Sequence, residues 1–499
     1  MQPATRNFVA LFCGCLLFHL AGTWMVPLVD RDEPRFAEAS REMIERGDYV
    51  VPYFNNRYRF DKPPLTYWFQ VVSYRVFGET PFAARFPSAV AAALTAVAIF
   101  AWGRRLGLVR AGFWAALIFT LCLQTLIHAK AAVADMWLVL FMTLAHWAGY
   151  ELLRDRGGGT WRSVVVRPTG LRTWWWLFYV SLALAFLAKG PIGWLPLITV
   201  LVLHFLRPIS HLGRRFLFVR GTLLMLALVA LWGVPALLRT NGEFLQIGLG
   251  RHVVGRSFGT MQGHGGGSLL AALVSLPFYF VTIFLTFAPW SWKLPWLTGR
   301  LWKKRDVLDL YLIAGAAVIV IVFTIVKTKL PHYILPAFPL LALLLARHWL
   351  EAGATVRTLR RWSVATATVM LALVLLGFPL LAPYFPATAL FKKAEPYLQP
   401  EMDFASYDFD VPSLIWNFRA RVRGFLFYSR ANGRDIGPLQ PDKVLQFMER
   451  PGPHFVVLPT ALVERLYPKL PSGYRKFSTR GFDIAKGRRV DLTLVMKNT

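Results

Sequence analysis

Long apolar runs separated by short polar segments dominate this chain. Runs long enough to cross a bilayer, roughly 17–25 residues each, fall at 8–28, 82–102, 111–127, 133–152, 173–189, 191–206, 217–238, 269–289, 308–327, 332–349 and 362–383. Pro191, Pro196, Pro331 and Pro336 lie at or inside such runs. A proline there removes a helix N–H and clashes with the preceding turn, so it kinks or merges helices. The pattern therefore predicts a polytopic α-helical membrane protein with about 11 to 13 transmembrane helices. The run 8–28 has the look of a secretory leader. It is long, however, carries His19, and is followed by Trp24-Met25-Val26-Pro27 rather than by a small-residue cleavage site, so it reads as a retained first helix.

Two stretches depart from this pattern. Residues 29–65 form a polar segment, within which Phe36 to Ile44 alternates like an amphipathic helix, as does Thr66 to Phe77 just beyond it. Both are expected to lie along a membrane surface rather than cross it. Beyond residue 385 the apolar stretches shorten to strand length at His454 to Leu458 and Val490 to Met496, with helical patterns at Pro441 to Met448 and Ala461 to Leu466. That alternation predicts a small soluble α/β domain over 385–499, after a transmembrane domain over 1–384.

Composition then settles class and orientation. Hydrophobic residues make up 56% of the chain, and 19 Trp stand ready to anchor interfaces. The 56 Lys and Arg against 27 Asp and Glu give a net charge of +29, a balance that nucleic-acid binders share. Here the basic residues instead recur as clusters between alternate apolar runs: Arg104-Arg105-Arg110, Arg154 through Arg172, Arg207 through Arg220, Lys293 through Arg305, and Arg347 through Arg361. That is the positive-inside pattern, not one basic face, so no nucleic-acid partner is expected. It places the N-terminus in the cytoplasm and, after an odd number of crossings, the C-terminal domain outside. Loops 29–81 and 239–268 share that outer side. Cys13, Cys15 and Cys122 fall in predicted helices, without the paired spacing of a thiolate metal site or a disulfide framework.

Acidic residues are scarce, yet the first outer loop concentrates them beside cations, an arrangement suited to an anionic substrate or a metal. Asp32 and Glu33 follow the first helix directly. A carboxylate there can act as base on an acceptor hydroxyl or orient an ionised acceptor, and adjacent positions point in different directions, so one of the two should face a substrate. Asp135 is the second acidic candidate, with a helix cap or a pairing to Lys130 as its ordinary alternative. Arg35, Lys62, Arg256, Lys189 and Lys329 are candidate phosphate ligands at headgroup depth, against the ordinary reading of snorkelling side chains. His252 and His264, with Asp61, could hold a divalent metal, although a spacing of twelve across glycines is no metal signature by itself.

At this point Asp32-Glu33-Pro34-Arg35-Phe36-Ala37-Glu38, followed by Phe60-Asp61-Lys62-Pro63-Pro64 before Tyr67-Trp68, resembles the first external loop of the bacterial aminoarabinose lipid A transferases. These belong to the protein-mannosyltransferase-like (GT-C) group. The resemblance continues through Ala134-Asp135-Met136, Leu187 to Pro191, the His252/Arg256 loop and Lys329 to Pro336, and so covers residues 1 to about 385. It implies an inverting glycosyltransferase of the bacterial inner membrane. Such an enzyme moves a sugar, 4-amino-4-deoxy-L-arabinose, from undecaprenyl phosphate to lipid A or a related envelope glycolipid on the periplasmic side. It further implies Asp32 as the essential aspartate, Asp135 as the second acid, Lys62 and Arg256 on the carrier phosphate, Tyr333 in the pocket, and Asp61 with His252 at a metal. Asp61 stands where the family usually has Glu, and the 252–256 spacing differs from the family's. The polyprenyl-phosphate sugar, the lipid A acceptor and membrane lipids are the implied partners. Two alternatives stay open: a protein O-glycosyltransferase using the same kind of donor, and a lipid-linked substrate transporter or flippase.

Overall fold

The computed structural model describes residues 3–154, 171–209, 211–254, 275–424, 426–428 and 441–497. Two compact units emerge: residues 1–21, 60–69 and 85–371 form the first, and residues 22–59, 70–84 and 372–499 the second.

The first unit is helical. Among the described residues of the whole chain, six helices are long and apolar enough to cross a membrane: Pro81–Arg105, Asp135–Leu153, Leu212–Arg239, Val307–Ile325, Pro331–Glu351 and Val356–Tyr384. A seventh results if Val109–Thr120 and Leu123–Ala129, bent by 67°, count as one span. Shorter apolar helices occupy Thr5–Leu20 and Pro191–Leu206, and the run at 173–189 becomes the helix Leu171–Lys189. The protein is thus a multi-pass membrane protein. The prolines break the apolar runs where expected: Pro191 and Pro331 each open a 3₁₀ turn that passes into an α-helix.

Small residues and helix caps fix this packing. Gly103 and Gly112 meet where Pro81–Arg105 passes Val109–Thr120, so closely that a Cβ on Gly112 would sit 3.0 Å from the Gly103 Cα and from the Phe100 carbonyl. Asp306 and Asp309 form a reciprocal capping box at the start of Val307–Ile325, and Arg347 reaches both carboxylates, at 2.5 and 2.9 Å. Lys130 caps the other polarity. Its ammonium donates to the carbonyls of Phe18, His19 and Ala21 at 2.9, 2.9 and 2.5 Å, satisfying the open C-terminal end of the first helix.

In the second unit a five-stranded mixed sheet carries the C-terminal domain. With the hairpin Tyr53–Phe54 and Arg57–Tyr58 as β1 and β2, the sheet strands are β3 (Asp403–Ser406), β4 (Leu426–Tyr428), β5 (His454–Pro459), β6 (Tyr474–Asp483) and β7 (Arg488–Lys497), in the order β4-β3-β5-β7-β6. β3 pairs in parallel with β4 and β5, and β7 is antiparallel to β5 and β6. Strand alternation buries β5 on both faces: Phe455 and Val457 enter one core, Val456 and Leu458 the other. The amphipathic segment of the first polar loop is the helix Asp32–Arg46, closed by Gly47 in the left-handed region. It packs against the helix Pro412–Phe418. Between them Arg41 pairs with Glu38, donates to the Trp416 carbonyl at 2.7 Å and lies 4.5 Å over the Trp416 ring. Burial pushes the Glu38 carboxyl up to about 8. Asn55 and Asn56, both at positive φ, turn the β1–β2 hairpin as a type I′ pair requires.

Candidate functional site

The helix Leu171–Lys189 ends on Lys189 because Gly190 takes φ 85°, ψ −160°, a conformation open almost only to glycine, and Pro191 starts the next turn. Asp135 opens the helix Asp135–Leu153, which packs along Leu171–Lys189. A carboxylate in a first turn is favoured by the helix dipole. The two ends therefore meet, and the Lys189 ammonium donates to Asp135 Oδ1 at 2.6 Å with both side chains largely buried. The 3₁₀ turn Pro331–Ala337 adds His332, whose Nε2 lies 3.9 Å from the same oxygen. His128 completes the group, its ring centroid 4.7 Å from that of His332 and its Nδ1 2.8 Å from Gln124 Nε2. Tyr333 sits beneath Lys189, with the ammonium 5.4 Å from the ring centre.

Asp135, Lys189, His332 and Tyr333 face a cavity of about 380 Å³ that Asp61 and Lys62 also line. Its remaining wall is apolar and includes Phe186, Trp232 and Phe244. One concave space thus combines cations, a paired carboxylate and an extended greasy wall, the combination that a phosphate on a hydrocarbon chain requires. Lys329, on the same turn-forming segment, is not among the lining residues. It donates to the Val326 carbonyl at 3.0 Å, and burial holds its ammonium below the ordinary lysine value.

Asp32, Glu33 and Arg35 belong to the second unit. Asp32 and Glu33 occupy the first turn of Asp32–Arg46 and have different surroundings, as adjacent positions should. Glu33 is buried and accepts the Val29 N–H at 2.7 Å, while Asp32 is exposed and Arg35 half-buried. Asp30, two residues earlier, accepts the backbone N–H and the hydroxyl of Ser413 at 2.9 and 2.5 Å, capping Pro412–Phe418 from another segment. Burial raises its carboxyl to about 6.

Of the residues singled out from sequence, Asp61, Lys62, Asp135, Lys189 and Tyr333 share the cavity. Arg256 and His264 lie outside the described residues, as does the side chain of His252. Asp135 pairs with Lys189 rather than with Lys130, which is spent on the carbonyls of the first helix. Sequence reasoning left out His128 and His332 as site residues. His332 falls within Lys329 to Pro336, but nothing in the spacing of His128, Asp135 and His332 could show that positions so far apart in the chain share a carboxylate.

His128, Asp135 and His332 offer ligand atoms within 4.8 Å of one another, a donor set that suits a divalent metal in number and kind. The Lys189 ammonium, 2.6 Å from Asp135, already supplies the counter-charge at this carboxylate and would repel a dication. The trio therefore reads more simply as a charge-balanced polar cluster.

The family model described as dolichyl-phosphate-mannose-protein mannosyltransferase matches residues 61–234. An undecaprenyl phosphate-alpha-4-amino-4-deoxy-L-arabinose arabinosyl transferase from Aeromonas hydrophila is 32% identical over 66% of this chain and 58% of its own length. The chain therefore matches less than two thirds of that relative. An uncharacterized protein from Aquifex aeolicus is 27% identical over 84% of this chain and 79% of its own length. The crystal structure of ArnT from Cupriavidus metallidurans bound to undecaprenyl phosphate aligns over 98% of both chains with a TM-score of 0.76 at 20% identity, which establishes a shared fold.

Proposed function

We propose that this chain, an aminoarabinose transferase-like membrane protein of the GT-C fold, moves a 4-amino-4-deoxy-L-arabinose unit from undecaprenyl phosphate to lipid A or a related envelope glycolipid. The observation that carries this reading is the cavity in which Lys62 and the Asp135–Lys189 pair stand against an apolar wall. Its cations suit a carrier phosphate and its wall suits the prenyl chain. The names of the curated relatives and the carrier bound in the ArnT crystal structure support the same donor.

In this reaction the bond from the anomeric carbon to the carrier phosphate oxygen breaks as the acceptor oxygen bonds the opposite face, so the configuration inverts. The leaving group departs as a phosphate anion and needs no general acid. Lys62, joined by Arg256, stabilises the charge that develops on it. Lys189, held by Asp135, adds a fixed positive end to the same space. Asp32 orients an acceptor phosphate that arrives ionised, or takes the proton from an acceptor hydroxyl. A metal at Asp61 with His252 and His264 would add Lewis-acid stabilisation of the same phosphate, and no step requires it. The positive-inside clusters support a cytoplasmic N-terminus in the bacterial inner membrane, with the cavity and the C-terminal domain on the periplasmic side.

Transfer from a synthetic undecaprenyl-phosphate aminoarabinose to lipid A in proteoliposomes tests the proposal. Lys62→Met should lower the rate about 100- to 1,000-fold, the usual cost of removing one charge-stabilising donor. Transfer undiminished in that variant would remove Lys62 from the role.

A further inference from the structure

A second cavity lies in the first unit, walled by helices other than those that carry the site. It measures about 760 Å³ and is walled by the first helix and by Pro81–Arg105, Val109–Thr120 and the start of Val356–Leu381. Its lining is apolar along its length, with Leu11, Phe18, Phe100 and Trp114 among the walls. Polar groups occur at chosen places. Arg110 and Asn7 stand at one end, and Arg110 is exposed and makes no hydrogen bond or ion pair among the described residues. Ser363 lines the wall further in; it is 7% exposed, and its hydroxyl has no hydrogen-bond partner among the described residues. A buried hydroxyl without a partner is uncommon and points to a ligand group that completes it.

The dimensions choose the occupant. From Arg110 to Thr120 the wall rises ten residues at ~1.5 Å each, or about 15 Å, which is half of a hydrocarbon core ~30 Å thick. The cavity is thus one leaflet deep. It has a cation at its mouth and an unmet donor part of the way down. Arg104, at the end of the adjoining helix, adds a second positive charge near the mouth. We propose that this cavity binds one anionic glycerophospholipid, its phosphate on Arg110, an ester carbonyl on the Ser363 hydroxyl and an acyl chain along the apolar wall. The function proposed above enters only in naming the leaflet as cytoplasmic.

Gly14 provides the test variant. It borders the cavity, and a Cβ built there meets nothing within 4 Å, so the backbone accepts a side chain and Gly14→Trp directs its bulk into the groove. Leaving glycine also favours the helix. The full chain, purified from membranes containing phosphatidylglycerol and phosphatidylethanolamine, would be released from micelles in native mass spectrometry. Wild-type protein should retain one phosphatidylglycerol in preference to phosphatidylethanolamine. Retention should fall at least tenfold in both Gly14→Trp and Arg110→Ala, with transfer activity unchanged in each. Equal retention in the wild type and either variant would overturn the proposal. So would equal retention of the two lipids, or retention of a polyprenyl phosphate in their place. Lipid retention as expected from a wild-type protein that shows no transfer would count against the transferase reading and leave this one standing.

Discussion

Replacing Lys189 with methionine keeps the length of the side chain and deletes its charge. At 2.6 Å, and with an effective dielectric of ~20, the attraction between Lys189 and Asp135 amounts to about 6 kcal/mol before desolvation. Most of that is consumed in taking both groups from water. Removing one partner leaves the other buried and uncompensated, which costs about 3–5 kcal/mol. Lys189→Met should therefore lower the unfolding midpoint in detergent by several degrees and the transfer rate by at least 100-fold. Asp135→Leu should do the same. The double variant replaces the pair with apolar groups of similar volume, a change that is often neutral for buried pairs. It should recover most of the lost stability while losing no more activity than either single variant. Thermal unfolding and transfer rates of the four proteins measure both cycles. Additivity of the two stability losses to within about 0.5 kcal/mol would refute the pairing as the organising contact of the site.

Other perturbations probe the frame around the site. Arg41→Met removes one of the two cations at the buried Glu38, leaving Arg419 at 3.7 Å, and deletes the hydrogen bond to the Trp416 carbonyl. It should lower the unfolding midpoint more above pH 8, where Glu38 is ionised, than below it, and Glu38→Gln in the same chain should abolish that pH dependence. The Asp30 carboxyl rises on folding from 3.8 to about 6, so the folded state holds its proton more tightly than the unfolded chain. Its contribution to stability is therefore largest below pH 3.8 and is lost as pH rises through about 6. Asp30→Asn should flatten the wild-type fall in unfolding midpoint across that window. Gly112→Leu places side-chain atoms against the backbone of the neighbouring helix, which cannot yield, and should cost at least the 1–3 kcal/mol typical of overpacking, about as much as a lost core contact. Unchanged thermal stability would contradict the close approach of Gly103 and Gly112.

The membrane helices were legible because burial in lipid demands long apolar stretches, and each expected run for which residues are described holds a helix. The strands at 454–459 and 488–497 were legible for the related reason that alternating or continuous apolar residues of strand length must be buried. The prolines marked the turns but could not give a helix count, because a kinked crossing and two short helices share one hydropathy profile; the bend at Thr120–Leu123 is such a case. The hairpin at Asn55 and Asn56 carried a local turn signal that the polarity of its surroundings hid. Site chemistry was legible only residue by residue. Asp135 and Lys189 both stood out as ionisable groups at the ends of apolar runs, yet their union depends on the packing of two helices. Lys130, five residues from Asp135, was the nearer partner by sequence. The open carbonyls at the end of the first helix claimed it instead. His332 gained its place through a 3₁₀ turn set by two prolines, and no periodicity encodes that.

Mass spectrometry of lipid A tests the central claim most directly. Host cells that make the undecaprenyl-phosphate aminoarabinose donor would carry the intact protein, its Asp32→Asn variant, or neither. A pentosamine-sized addition to lipid A should occur with the intact protein alone, and the variant should lose it through the missing carboxylate charge. Lipid A unchanged by the intact protein, in a host shown to contain the donor, would contradict aminoarabinose transfer to lipid A. An equal addition with Asp32→Asn would keep the reaction and remove Asp32 from it.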